Sequence, residues 1–314
     1  MLKIILIIVL LLAAVLLFAA YKLFTIAFLK TTNRAETMES DHNRIDTPED
    51  ALLQPVLDKK AEWLAEVTEE MVSITSQDGL KLKGFSYSLA QPSKRWGILV
   101  HGFDSRHEEM FDKAPYFQDL GFNVLLPDLR AHGASEGRYI GFGWPDRKDI
   151  QLWIDFILQK DPEAEIILYG VSMGGATVMM TAGENLPDNV KAVIEDCGYA
   201  SVKEELSYQL KNLFHVPAFP LIPLVSVINK MRQGWWLGEA SSTKQLAKTK
   251  LPVLFIHGNA DTFVPFSMLA ENYQATATSK EKLPVAGAQH AMSGIIAGEA
   301  YWQKVKAFLD EVMA

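Results

Sequence analysis

One serine sits where its surroundings suit chemistry. Ile166-Ile167-Leu168-Tyr169 runs straight into Gly170-Val171-Ser172-Met173-Gly174-Gly175, and a helix-compatible stretch follows. Gly-x-Ser-x-Gly at a strand-to-helix junction presents a hydroxyl on a tight turn. The flanking residues must lack bulk so that strand and helix can approach each other. The helix N-terminus then points its N–H groups at developing negative charge. The bare pattern arises by chance in about one chain in ten of this length, so the strand before it and the helix after it carry the argument.

A serine needs a base, and the base needs an orienting acid. Among seven histidines, His42 lies in a polar stretch. His107 precedes Glu108-Glu109 but lacks the second histidine of a zinc-binding helix. His215 sits in a proline-rich insertion. His101 and His132 precede glycines in loops after strands, and His257 ends a strand; the ordinary fate of such histidines is burial with satisfied hydrogen bonds. His290, in Ala288-Gln289-His290-Ala291, lies between the last strand region (282–285) and the final helix. A loop there projects it towards Ser172. For the acid, Asp261 follows Leu254-Phe255-Ile256-His257-Gly258-Asn259-Ala260 at a strand's carboxyl end, with Glu195 and Asp196 as reserve candidates after another strand.

These residues need a scaffold, and the apolar pattern supplies one. Short β-rich runs cover 71–75, 80–87, 96–100, 123–126, 165–169, 190–194 and 251–257. The first two flank Gln77-Asp78-Gly79 and predict a hairpin. Helical stretches follow at 111–120, 144–159, 173–184, 266–276 and 299–313. This alternation predicts an α/β fold with a mostly parallel central sheet and helices on both faces. Continuous apolar runs such as Ile98-Leu99-Val100 agree with strands buried on both sides. From about 201 to 250 the rhythm breaks at Pro217, Pro220 and Pro223, followed by Trp235-Trp236. That density of proline excludes one long regular helix and predicts a small helical cap over the sheet's carboxyl edge.

The order Ser172, Asp261, His290 is the order of an α/β-hydrolase triad, and here the resemblance is plain. Much of residues 71–313 resembles the α/β-hydrolase superfamily of serine hydrolases, and is most similar to membrane-anchored bacterial members. It rests on Leu99-Val100-His101-Gly102-Phe103, Asp128-Leu129-Arg130-Ala131-His132-Gly133-Ala134-Ser135-Glu136-Gly137, the Gly170–Gly174 motif, His257 to Asp261, and Gln289-His290. Ala131 departs from the glycine usual in that family's D-x-R-G-H-G loop, which is structural. The resemblance implies that His101-Gly102-Phe103 is the oxyanion-hole loop, with the backbone N–H groups of Phe103 and Met173 binding the oxyanion.

The first thirty residues predict a membrane anchor. Ile4 to Ala20 is unbroken apolar sequence between Lys3 and Lys22, and the run resumes to Leu29. A helix over residues 4–29 rises about 39 Å at about 1.5 Å per residue, more than the roughly 30 Å hydrocarbon layer, so it spans with tilt or with Lys22 snorkelling. A cleaved signal peptide has a shorter apolar region and ends in small residues; Phe18-Ala19-Ala20 does not match. The basic-residue count places the C-terminal side inside, whereas the very short N-terminal tail favours export. The second weighs slightly more, and predicts a single-pass protein of the cell membrane with its catalytic domain extracytoplasmic. Residues 30–46 read as a polar tether, and Thr47-Pro48-Glu49-Asp50 as the start of a juxtamembrane helix reaching about Glu66. The expected organisation is an anchor at 1–30, tether and juxtamembrane helix at 31–67, and the hydrolase domain at 68–314 with its cap at about 201–250.

Composition narrows the function. Thirty Lys and Arg against 38 Asp and Glu give a net charge of −8 over 314 residues, the opposite of a nucleic-acid footprint. One cysteine, Cys197, excludes an intramolecular disulfide and a cysteine-based zinc site. There is no Walker loop, and Gly141-Phe142-Gly143 lacks the third glycine of a dinucleotide site. The expected function is cleavage of a carboxylic ester, a small and lipid-like molecule at the bilayer, through an acyl-enzyme and without metal or cofactor. Peptidase and thioesterase chemistry use the same triad, and a non-catalytic membrane-tethered binding protein is the remaining class.

Overall fold

The computed structural model describes residues 1–30 and 50–313. The tether and the capping residues Thr47 to Glu49 lie outside the described residues, as does His42. Eight strands form one sheet: β1 (Glu70–Thr75), β2 (Lys81–Tyr87), β3 (Arg95–Val100), β4 (Asn123–Pro127), β5 (Glu165–Val171), β6 (Val190–Asp196), β7 (Val253–Gly258) and β8 (Lys280–Val285). Their order across the sheet is β1-β2-β4-β3-β5-β6-β7-β8. The β1–β2 hairpin is antiparallel, as is β2 with β4; from β4 onward every pairing is parallel.

Each central strand is apolar on both sides because each side meets a different layer. Ile98 and Val100 of β3, Leu168 of β5 and Phe255 of β7 join one buried cluster. Leu99, Ile167, Tyr169 and Ile256 point the other way into a second. This two-residue alternation into two cores is what a doubly covered parallel sheet requires.

The helices follow the expected positions with one break. The stretch expected as a helix over 111–120 divides into a 3-10 turn, His107–Asp112, and a short helix, Ala114–Asp119. Pro115 is the reason: it has no N–H to continue a preceding helix, but suits a new first turn. The cap contains two 13-residue helices, Val202–Phe214 and Leu221–Gln233. Pro217 and Pro220 lie in the link between them, and Pro223 in the second helix's first turn, so the prolines divide the cap without preventing its helices. Ser201 caps the first by accepting from the Glu204 N–H.

Helix α1 (Leu2–Phe28) is divided in its environment, although the sequence read 4–29 as one span. Up to Phe18 its side chains are exposed. From Ala20 it docks on the body built around the sheet, with Ala20, Phe24 and Phe28 buried at i, i+4 spacing. Phe28 packs 4.8 Å from Phe142 and 6.1 Å from Trp235, ring centre to ring centre. Its carbonyl accepts a 2.7 Å hydrogen bond from Ile140 N–H, and Lys30 N–H donates to the Arg138 carbonyl at 3.0 Å. Burying two phenylalanines contributes about 1.5–3 kcal/mol each. Helix α2 (Asp50–Glu66), expected beside the membrane segment, belongs to the opposite core. Its Trp63 packs on Tyr87 and Phe111 and donates to Gln118 Oε1 at 2.8 Å.

Candidate active site

Ser172 follows β5 at the carboxyl edge of the sheet and starts helix Met173–Ala182 in a left-handed conformation, φ +57° and ψ −118°. A β-carbon on Gly170 would lie 2.2 Å from the Gly174 carbonyl oxygen, and one on Gly174 would lie 2.0 Å from that of Val100. Both obstacles are backbone, so nothing larger than glycine fits. The strain at Ser172 is held by its N–H, which donates to the Asp196 carbonyl at 2.8 Å.

Three side chains far apart in sequence meet here. His290 Nε2 is 2.8 Å from Ser172 Oγ, and His290 Nδ1 is 2.7 Å from Asp261 Oδ2. The carboxylate can only accept, so Nδ1 carries the proton and Nε2 is left to accept from the serine hydroxyl. Asp261 Oδ1 accepts from the N–H groups of Phe263 and Val264 at 2.8 and 2.9 Å. Its Oδ2 also faces His257 Nε2 at 3.2 Å. Burial alone would raise the Asp261 pKa, but hydrogen bonds from His257 and His290 outweigh it and hold the carboxyl at about 2. Phe263 covers the His290 ring, 4.8 Å between centres.

Four further histidines among the described residues are structural. His101 Nε2 accepts from Leu129 N–H at 3.0 Å, which leaves Nδ1 to donate to the Gly102 carbonyl at 2.7 Å. His132 accepts from Asp104 N–H and donates to the Arg130 carbonyl; burial, with His101 nearby, lowers its pKa to about 3. His107 stacks on Phe85 and bonds Asp128. His215 ends the first cap helix in a left-handed conformation. The reserve acids point elsewhere: Glu195 accepts from Gly198 N–H and Asp196 from Tyr301 OH.

The loop after β3 brings Phe103 to the same cavity as Ser172 and Met173. Gly102 N–H donates to Glu109 Oε2 at 2.8 Å, fixing that loop from the far side. Behind it, Asp128 accepts from the N–H groups of His107 and Ala134. Ala131 has φ +63°, in the left-handed region that favours glycine. Buried Arg130 bridges Asp149 and Asp78.

The cavity over Ser172 is about 750 Å³, within the range of small-molecule sites. Cap residues Leu210, Phe214 and Val225 line it, and so do Leu23, Ile26 and Ala27 of α1. Its buried acid is Glu205, which accepts from Gln209 at 2.9 Å and leaves Oε2 without a partner. Burial, reinforced by the Asp261 charge, pushes Glu205 up to about 8 despite the Gln209 hydrogen bond. Among the described residues, Cys197, Asp261 and His290 place ligand-type atoms within 4.8 Å of one another. Burial raises the Cys197 thiol pKa, and the other two are engaged in the serine relay, so the trio is poorly suited to a metal.

Sequence reasoning did not find the contributions of Glu109, Glu205, His257 or α1 to the site. Only His257 carried a signal, lying four residues before Asp261 on the same strand-end turn. The others meet the site across the fold.

The family model for serine aminopeptidase, S33, matches residues 91–240. The Bacillus subtilis protein YqkD is 30% identical over 240 residues, covering 76% of this chain and 78% of that one. Thiohydrolase aneE of Aspergillus aculeatus is 35% identical over 150 residues, 45% of this chain and 46% of its own. The Pyrococcus furiosus esterase Pf2001 superposes with a TM-score of 0.66 at 22% identity, covering 81% of this chain and 96% of that one.

Proposed function

Because this chain belongs to the α/β-hydrolase superfamily, we propose that it is a serine hydrolase that cleaves carboxylic esters and is held in the cell membrane by α1. The observation that carries this reading is the unbroken relay from Asp261 through His290 to Ser172, at 2.7 and 2.8 Å, opening into an apolar cavity.

In this mechanism His290 Nε2 removes the serine proton as Oγ attacks the ester carbonyl. Asp261 stays ionised, holds the imidazole in the required tautomer and stabilises the imidazolium. The backbone N–H groups of Phe103 and Met173 bind the tetrahedral oxyanion; losing one such donor typically costs about 2.7–4 kcal/mol. His290 passes the proton to the departing alkoxide, releasing the alcohol. Water then attacks the acyl-enzyme, giving its proton to His290, and the carboxylic acid leaves as Ser172 recovers its hydrogen.

Ser172→Ala tests the assignment. It should abolish p-nitrophenyl ester hydrolysis and fluorophosphonate labelling while circular dichroism stays that of the parent. Undiminished turnover would remove Ser172 from the mechanism, and a parent chain that neither labels nor turns over would point to a binding protein. Thioester cleavage is the second reading, favoured by the likeness to a thiohydrolase. Matched oxygen and sulfur esters of one acyl chain separate the two, and peptide substrates report on the peptidase alternative.

A further inference from the structure

We propose that α1 is a wall of the substrate chamber as well as an anchor, and that the chamber takes the acyl chain of an ester dissolved in the bilayer. This rests on the ester-hydrolase reading above and adds where the substrate comes from.

The chamber containing Ser172 lies between two apolar surfaces. One is α1, through Leu23, Ile26 and Ala27; the other is the first cap helix, through Leu210, Leu213 and Phe214. Three of these residues line the chamber and are also about half exposed: Ile26 at 54%, Leu213 at 60% and Phe214 at 50%. They mark a mouth between the membrane helix and the end of the cap. The α1 wall is fixed in place by buried Phe24 and Phe28, by the Phe28–Ile140 hydrogen bond, and by Lys30 Nζ donating to the Ser135 carbonyl at 3.3 Å.

Length sets the depth of this mouth. The exposed part of α1, residues 2–18, rises about 25 Å at about 1.5 Å per residue, short of a hydrocarbon layer of about 30 Å. The docked part must therefore begin within or at the edge of the acyl region. Elsewhere on the cap Phe219, Met231 and Trp236 are exposed, with Lys230 over the Trp236 ring at 5.8 Å, a pairing of aromatic and basic residues suited to a membrane interface. A lipid ester can then slide from the leaflet past Ile26 and Phe214 to Ser172 without crossing water. Ser172 acts on the ester end; on the α1 side Lys22 and Thr25 also line the chamber, Thr25 with its hydroxyl donated to the Tyr21 carbonyl, and the hydrocarbon tail lies along Leu23, Ile26 and Ala27.

The test uses the full chain in vesicles of a diether phosphatidylcholine, a matrix with no ester to cleave. p-Nitrophenyl palmitate in the bilayer is compared with p-nitrophenyl acetate in the water, so the leaving group is constant. Ile26→Trp and Leu213→Trp narrow the mouth from opposite sides and should each lower the palmitate-to-acetate rate ratio at least tenfold. Leu10→Trp, on the same helix away from the chamber, should keep the parent ratio. Unchanged ratios in both mouth variants would overturn the proposal while leaving the hydrolase reading intact. Absence of acetate turnover and of fluorophosphonate labelling in the parent would overturn both.

Discussion

His257 Nε2 lies 3.2 Å from Asp261 Oδ2, the same oxygen that takes the 2.7 Å hydrogen bond from His290. The acid of the relay is thus held from two sides by histidines. His257 Nε2 faces only acceptors, Asp261 and the Val264 carbonyl at 3.1 Å, and so carries its proton. A hydrogen bond to an ionised group contributes about 1.5–3 kcal/mol, partly felt in the transition state. His257→Leu should lower kcat by about tenfold while fluorophosphonate still labels Ser172, and His257→Gln, which can still donate, should lose less. Steady-state kinetics on p-nitrophenyl butyrate decide; an unaltered kcat in the leucine variant would show that His257 serves packing alone.

Gly174→Ala should destabilise the chain, because the new β-carbon would sit 2.0 Å from the Val100 carbonyl oxygen and neither strand nor helix can yield. Overpacking of this kind costs about 1–3 kcal/mol. At about 2–4 °C per kcal/mol for a domain of this size, the melting temperature should drop by several degrees and serine labelling should slow. Differential scanning fluorimetry against the parent reads the first, and a labelling time course the second.

Arg130 neutralises acids that burial penalises. Burial pushes Asp149 up to about 7 even with the guanidinium beside it, and raises Asp146 as well. Arg130→Met leaves these groups without their partner, a loss of about 3–5 kcal/mol, to be measured by urea unfolding at pH 7. Adding Asp149→Asn should restore part of that loss. A double variant no more stable than the single one would contradict the pairing.

Glu205 predicts a pH slope. The unfolded chain releases this proton near the ordinary glutamate value, the folded chain only at about 8. Between those values the folded state holds more protons, so its stability falls as pH rises. Glu205→Gln should melt at about the parent temperature at pH 5 and above it at pH 8.5. Parallel curves for the two proteins across that range would show that Glu205 titrates normally.

Much of the scaffold was readable along the chain. The eight strand positions, the hairpin at Gln77-Asp78-Gly79 and the helix after Ser172 are local patterns of period, turn residues and small residues, and local physics produces them. Ser172 was visible because strand, elbow and helix are contiguous. His290 and Asp261 were visible because each follows a strand, and parallel strands deliver all their carboxyl ends to one edge. The division of 107–119 had a local signal in Pro115, which cannot continue a helix but suits a new first turn, and the expected helix over 111–120 ran through it. The docking of the C-terminal end of α1 was not legible for a different reason: an apolar helix that meets lipid and one that meets protein have the same composition.

The order of the elements and the candidates for nucleophile, base and acid therefore belong to the amino-acid sequence, because they follow from interactions between residues a few positions apart. That Glu109 braces Gly102, that Glu205 lies in the chamber and that Leu23 to Ala27 form its wall were decided only on folding. Those contacts join residues 7 to about 190 positions apart, and depend on how helices settle on the two sides of the sheet, which no local pattern encodes.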